Sequence, residues 1–127
     1  MGDGGSAMAI LIVEDEPHLR RSLARSLAAR GFAVSEAASC ETAVRAALAD
    51  RPDLLLLDVN LPDATGWDVL RELRAQDASI PAVVMSAVPP SPARVREFGL
   101  LGVLREPFPV DALLRVVRNA GPPARAT

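Results

Sequence analysis

The sequence contains no lysine and no tyrosine, and it has a single cysteine and a single histidine in 127 residues. The one cysteine, Cys40, excludes an internal disulfide and fits a reducing compartment, so we predict a cytoplasmic protein. All 14 basic residues are arginines, and 16 acidic residues outnumber them. The resulting net charge of −2 gives no indication of direct nucleic-acid binding or of a polybasic membrane-binding surface.

Long apolar runs are also missing. The longest lies within residues 7–13, which is far too short to cross a bilayer, and no signal-peptide pattern precedes it. We therefore expect no membrane association. Half of the residues are apolar, and the length suits one domain, which we place at residues 8–120. The Gly-rich residues 1–7 are predicted to be a disordered leader, and residues 121–127 a tail or linker stub.

Five apolar segments alternate with helical patterns along the chain. The predicted strands are Met8–Val13, Phe32–Ala37, Leu54 to Asp58, Pro81–Ala87 and Gly102–Arg105. Alternating strands and helices predict an α/β fold with a parallel sheet covered by helices on both faces. We expect a flavodoxin-like (βα)5 domain with strand order 2-1-3-4-5. Three prolines within residues 88–92 predict a short or irregular fourth helix that begins near Ala93.

Acidic residues follow two of these strands. Glu14 and Asp15 come directly after the first strand, and Asp58 ends the run of four leucines that forms the third. In the predicted order these strands are neighbours, so three carboxylates should meet where open α/β sheets bind ligands. Clustered carboxylates repel one another unless a cation lies among them, and Mg²⁺ prefers such oxygen ligands. Solvated carboxylates at strand ends are the alternative interpretation.

Four segments in combination resemble the receiver domain of two-component response regulators. These are Ile10–Asp15, Asp58–Gly66, Ala82–Ala87 and Arg105–Phe108. They carry an acidic pair, an Asp-x-x-x-Pro-x-x-x-Gly stretch, a Ser-Ala pair and a Pro-Phe pair, each after its predicted strand. The similarity extends over nearly the whole chain.

The resemblance implies a role for each matching residue. Asp58 matches the phosphoacceptor, and Asp15 matches a direct Mg²⁺ ligand, with Glu14 binding the ion through water. Asn60 matches the residue whose backbone carbonyl completes the metal site. Ser86 matches the switch hydroxyl that hydrogen-bonds a phosphoryl oxygen. The expected partners are a histidine kinase or phosphotransfer protein, with an output domain or downstream protein and a homodimer through helices 4 and 5 as further expectations.

Three features depart from the family pattern. Glu106 occupies the position of a lysine that pairs with the phosphoryl group, and Val103 replaces an aromatic switch residue. The third departure is the proline-rich start of the fourth helix. Arg105 is a candidate substitute for the lysine, although neighbouring strand residues face opposite sides. We therefore hypothesise a receiver that binds Mg²⁺ but accepts a phosphoryl group poorly, provided that Glu106 does not simply turn to solvent.

Two other functions are alternatives to this signalling role, which is not enzymatic. A pseudo-receiver would bind partners without phosphorylation, and the missing lysine, the missing aromatic residue and the prolines favour it. A haloacid-dehalogenase-type phosphatase would need a second aspartate at the position of Asn60 and a later lysine. The sequence supplies neither residue, so the phosphatase is the weaker alternative.

Overall fold

A computed structural model of the protein describes residues 7–120. The predicted tail, residues 121–127, and all of the predicted leader except Ala7 lie outside the described residues. Within the described part of the chain, every helix is too short or too polar to traverse a lipid bilayer.

Five strands and five helices alternate along the chain. Their bounds are β1 Ala9–Val13, α1 Pro17–Ala28, β2 Ala33–Ala37, α2 Cys40–Ala49, β3 Leu54–Asp58, α3 Gly66–Ala75, β4 Ala82–Ser86, α4 Pro92–Phe98, β5 Gly102–Arg105 and α5 Val110–Ala120. All neighbouring strands pair in parallel, in the order β2-β1-β3-β4-β5. The predicted flavodoxin-like topology is confirmed.

Strand alternation divides the core into two layers. On β1, Ile10 and Ile12 face the layer that contains α1 and α5, whereas Leu11 and Val13 face the layer with α2 and α3. The run Leu54–Leu57 supplies side chains to both layers, and all four are 0% exposed. Burial of each leucine stabilises the fold by about 1.5–3 kcal/mol. β3 is therefore firmly anchored at the centre of the sheet, directly before Asp58.

Side-chain caps set where the helices begin. Ser39 and Thr42 form a capping box at α2, and Thr65 and Asp68 form another at α3. Pro17 occupies the first turn of α1, where the missing N–H of proline has no cost.

The fourth helix is short, as the prolines predicted. It has seven residues, begins at Pro92 after the N-cap Ser91, and ends at Gly99, whose φ of +57° is left-handed. None of its residues is buried. Phe98 attaches it to the core by stacking on Trp67, with 5.5 Å between ring centroids. α4 is thus weakly anchored compared with the other helices.

Candidate functional site

Three carboxyl groups meet at the C-terminal edge of the sheet. Glu14 follows β1, Asp58 ends β3 and Glu106 follows β5, and carboxylate oxygens of the three lie within 4.8 Å of one another. We call this set the carboxylate trio. Glu14 is 3% exposed, Asp58 is 7% exposed, and Glu106 is half-buried. The trio therefore concentrates negative charge in a place that water reaches poorly.

The surroundings of the trio disfavour its ionisation. Burial, with a further contribution from neighbouring Asp58, raises the pKa of Glu14 to about 8. Burial also raises the pKa of Asp58, and burial together with the Asp58 charge raises the pKa of Glu106. Like charges in a desolvated site resist losing their protons together. The trio must therefore retain protons or bind a cation.

The two carboxylate oxygens of Glu14 have different surroundings. The backbone N–H of Glu16 donates to Glu14 Oε2 at 3.0 Å, whereas Glu14 Oε1 is buried and has no hydrogen-bond donor among residues 7–120. The Glu14 backbone is held by Arg20, whose Nη1 donates to the Glu14 carbonyl at 3.0 Å while its Nε donates to Glu36. Glu14 is therefore fixed in position with one unsatisfied acceptor.

The backbone around Asp58 is closely packed. The Asn60 N–H donates to Asp58 Oδ1 at 3.1 Å, and the Gly66 N–H donates to the Val59 carbonyl at 2.8 Å. A Cβ atom at Gly66 would lie 2.5 Å from the Asp58 carbonyl oxygen, so only glycine fits there. The loop between β3 and α3 thus holds the Asp58 carboxylate in one orientation.

Asp15 and Asn60 lie at the rim of the site. Asp15 is exposed and is not a member of the trio, although its charge raises the pKa of Asp58. Asn60 is exposed, and its backbone N–H is the group that contacts Asp58. Asp15 therefore lies close enough to influence both Glu14 and Asp58, and Glu106 joins these two carboxylates as a further acid of the site. The metal-ligand roles predicted for Glu14, Asp15, Asp58 and Asn60 stay predictions.

Ser86 ends β4 and is 5% exposed. Its Oγ donates to the Val88 carbonyl at 2.6 Å and accepts from the Val88 N–H at 3.2 Å. The hydroxyl is thus bound to its own loop. Val103 is half-buried in β5 and pairs with Val84 of β4. Their predicted switch roles stay predictions.

Glu106 and Arg105 point to different environments. Glu106 lies close enough to Asp58 for the two carboxylates to interact, so it does not simply turn to solvent. Arg105 is exposed, and within residues 7–120 its side chain forms no hydrogen bond or ion pair. The suggestion that Arg105 replaces the lysine stays a prediction, and no contact in the described chain favours it.

Sequence reasoning missed Arg94 at the start of α4. Together with Asn60 and Ser86 it lines a cavity of about 380 Å³. Its guanidinium lies 5.1 Å above the ring of Trp67, and it forms a 3.6 Å ion pair with Glu97. The sequence placed this arginine after three prolines, and no spacing rule predicts how such a segment folds back.

Comparison with known proteins identifies the family. A family model described as response regulator receiver domain matches residues 10–118. The transcriptional regulatory protein PrrA of Mycobacterium leprae is 37% identical over 120 residues, which are 93% of this chain and 52% of PrrA. The chain spans about half or less of the length of the curated relatives it matches.

Solved structures show the same fold. FixJ-N has a TM-score of 0.83 and 27% identity, with 97% of this chain and 100% of that chain covered. The response regulator TrrA of Thermotoga maritima, solved in complex with Mg²⁺-BeF, has a TM-score of 0.77 and 24% identity. That likeness covers 88% of this chain and 97% of TrrA, and it supports the fold alone.

Proposed function

We propose that Asp58 accepts a phosphoryl group from a histidine kinase, on the premise that this chain belongs to the family of response regulator receiver domains. The observation that carries the proposal is the placement of the Asp58 carboxylate. It ends a strand whose four leucines are fully buried, and it lies beside the Glu14 carboxylate, whose Oε1 has no hydrogen-bond partner among the described residues. A carboxylate held in this way is a suitable nucleophile for an acyl-phosphate intermediate.

The two oxygens of the Asp58 carboxylate have different roles in this proposal. The backbone N–H of Asn60 donates to Oδ1, so Oδ2 is the oxygen that attacks phosphorus. In that step the Oδ2–P bond forms as the bond from phosphorus to the donor histidine nitrogen breaks, and the electron pair stays on that nitrogen. Fixing the nucleophile in advance lowers the entropic part of the barrier.

The residues present fit a magnesium ion. The buried, unpartnered Glu14 Oε1 and the surrounding carboxylates form an oxygen-rich site of the kind this ion prefers. We propose that Asp15, Asp58 and the Asn60 carbonyl hold Mg²⁺, with Glu14 acting through water. When bound, the ion neutralises charge on the phosphoryl oxygens during transfer.

Ser86 and Glu106 oppose the phosphorylated state in this chain. To contact a phosphoryl oxygen, Ser86 Oγ must give up its 2.6 Å bond to the Val88 carbonyl. Glu106 presents an anion towards Asp58, and two like charges about 4 Å apart repel by roughly 4 kcal/mol at an effective dielectric of about 20. We therefore propose that phosphorylation is slow or incomplete. The family match favours this signalling role over a pseudo-receiver that never accepts the group.

The partners we propose are a histidine kinase or phosphotransfer protein as donor and an output domain or downstream protein as recipient of the signal. The regulatory names of relatives such as PrrA support this, since they describe proteins that act on transcription. A homodimer through α4 and α5 and the cytoplasmic location stay predictions.

The test uses acetyl phosphate and Mg²⁺ as donor and metal, with intact-protein mass spectrometry as the readout. We expect a fraction of the wild-type protein to gain the mass of one phosphoryl group. Asp58→Asn is the matched control, because it keeps the side-chain volume and removes the nucleophile, and it should gain nothing. Equal mass gain in the two proteins would exclude Asp58 as the acceptor.

A further inference from the structure

We propose that Glu106 is a direct ligand of a divalent cation that it shares with Glu14 and Asp58. Oxygens of these three carboxylates lie within 4.8 Å of one another at the end of the sheet. The inference rests on the proposed metal-binding function and changes it in two ways. Glu106, in the loop after β5, becomes an additional ligand, and Glu14 contacts the ion directly instead of through water.

An independent observation indicates that the trio faces a ligand. Glu14 is 3% exposed, and its Oε1 has no hydrogen-bond partner among the described residues. Leaving a buried acceptor unpaired is costly, so such an atom needs an explanation. Because Glu14 contributes a carboxylate oxygen to the trio, a cation bound there supplies the missing partner.

The distances between the trio oxygens suit the binding of one ion by all three carboxylates. Mg²⁺ and Ca²⁺ bind oxygen at about 2.0–2.6 Å, so ligands on opposite sides of one ion are about 4–5 Å apart. The oxygens of the trio lie within that range of one another. A single ion can therefore contact all three carboxylates with only small side-chain rotations.

Among residues 7–120, no arginine side chain forms an ion pair with a carboxylate of the trio. The sequence has no lysine, and the ion pairs of the described arginines are with acids outside the trio, at Glu36, Glu41, Asp68 and Glu97. Arg20 donates to the Glu14 backbone carbonyl and not to a carboxylate of the trio. A hard divalent cation is the partner whose charge and ligand preference match three carboxylates.

The experiment measures metal binding by the full chain without any phosphodonor. Isothermal titration of chelator-treated protein with Mg²⁺ and Ca²⁺ compares the wild type with Glu106→Leu, which keeps the volume and removes the ligand. Loss of a charged ligand should weaken binding by about tenfold or more, since ligand charge tunes affinity at such sites. Glu106→Gln is a second variant that keeps the position polar. Asp50 is an exposed acid at the C-cap of α2 and is not a member of the trio. Asp50→Asn therefore controls for the loss of one charge and should leave the affinity unchanged.

A second readout separates direct ligation from a long-range charge effect. Tb³⁺ replaces the cation, and its luminescence lifetimes in H₂O and D₂O count the water molecules bound to the ion. Glu106→Leu should increase that count, because water takes the vacant ligand position. Weaker binding with an unchanged water count would overturn the proposal, since Glu106 would then act through its field alone.

The same data distinguish this inference from the proposed function. If Asp15→Asn abolishes metal binding while Glu106→Leu leaves affinity and water count unchanged, the proposed Mg²⁺ site stands and Glu106 is not a ligand. If the folded wild-type protein binds none of the three ions, both metal assignments are wrong. Phosphorylation of Asp58 is judged separately by the mass measurement.

Discussion

The two halves of the site are held by different kinds of contact. On the β1–β3 side, Glu14 follows β1 and Asp58 ends β3, both largely buried strands, and a backbone N–H donates to one oxygen of each carboxylate. On the β4–β5 side, Ser86 is bonded to its own loop, and the neighbouring helix α4 buries none of its residues. Segments with few buried contacts open more easily than core strands.

This difference indicates where the fold accommodates changes in the residues of the site. The side that would load a phosphoryl group is specified by buried strands, so its geometry is tied to the stability of the core. The side that would sense the group depends on loops and a short helix, and it is there that Glu106 and Val103 depart from the family pattern.

The largest loss of stability is expected from a substitution at Gly66, and Gly102 serves as its comparison. In Gly66→Ala the new Cβ would lie 2.5 Å from the Asp58 carbonyl oxygen, whereas in Gly102→Ala it would lie 2.7 Å from Val116 Cγ1. A backbone atom in a central strand cannot move aside, but a valine side chain can shift. We expect Gly66→Ala to lower the free energy of unfolding by about 2–4 kcal/mol and Gly102→Ala by about 1 kcal/mol. Urea denaturation measures both, and equal losses would contradict the contrast.

The next prediction concerns pH in the absence of metal. The pKa of Glu14 is raised from 4.5 to about 8 by folding, so the folded state binds this proton more tightly than the unfolded chain. Its stabilising contribution is full below about pH 4.5 and is lost as pH rises through about 8. We expect the free energy of unfolding to fall by about 1–3 kcal/mol over this window. Denaturation in chelator at several pH values measures this.

Added Mg²⁺ should reverse that loss, because it binds the deprotonated carboxylates of the folded state. The gain should be largest near the upper end of the window and small near the lower end. A stability that is independent of pH in chelator, or a Mg²⁺ effect of equal size at every pH, would contradict the electrostatic description of the trio.

A smaller effect is expected for the attachment of α4. Phe98 stacks on Trp67, and the Arg74 guanidinium lies 4.9 Å from the Phe98 ring centroid. Phe98→Ala should cost about 1–2 kcal/mol through the lost ring contacts. Hydrogen exchange should show lost protection in α4 with β1 and β3 unchanged. Val95→Ala on the same helix is the control, and a loss spread evenly over the sheet would contradict the idea that α4 opens independently.

The smallest expected effect is that of neutralising Glu106 alone. Glu106→Gln removes the repulsion with Asp58, and solvent screening at this half-buried position reduces the benefit. We expect the metal-free protein to gain about 1 kcal/mol at a pH near 8, where the trio is most ionised. Thermal unfolding in chelator measures it. A decrease in stability would mean that Glu106 contributes a favourable contact in the absence of metal.

Much of the fold could be predicted from the chain. The four leucines before Asp58 predict a strand buried on both faces, and the regular alternation of strands and helices predicts the parallel order. The prolines after Ser86 predict the short α4. Each of these inferences depends on local periodicity or on the backbone restrictions of one residue type, which act wherever the segment lies.

The detailed site could be predicted less completely. Glu106 lies one residue past the end of β5, where alternation no longer decides which way a side chain points, so only the family resemblance indicated a position near Asp58. Asp15, just after β1, lies near Glu14 and Asp58, but its side chain is exposed, which the strand pattern alone does not predict. Arg94 reaches Trp67 only because α4 packs back through Phe98, and that is a tertiary contact.

The central claim is that the acceptor half is competent while Glu106 opposes the phosphoryl group. Its most direct test is the rate at which acetyl phosphate, with saturating Mg²⁺, adds mass to the wild type and to Glu106→Lys, with Asp58→Asn as the blank. Replacing an anion by a cation beside the phosphoryl group should speed the reaction by about tenfold or more. We predict slow, incomplete reaction of the wild type and faster, fuller reaction of the variant. Rapid, stoichiometric phosphorylation of the wild type with no gain in Glu106→Lys would contradict the claim.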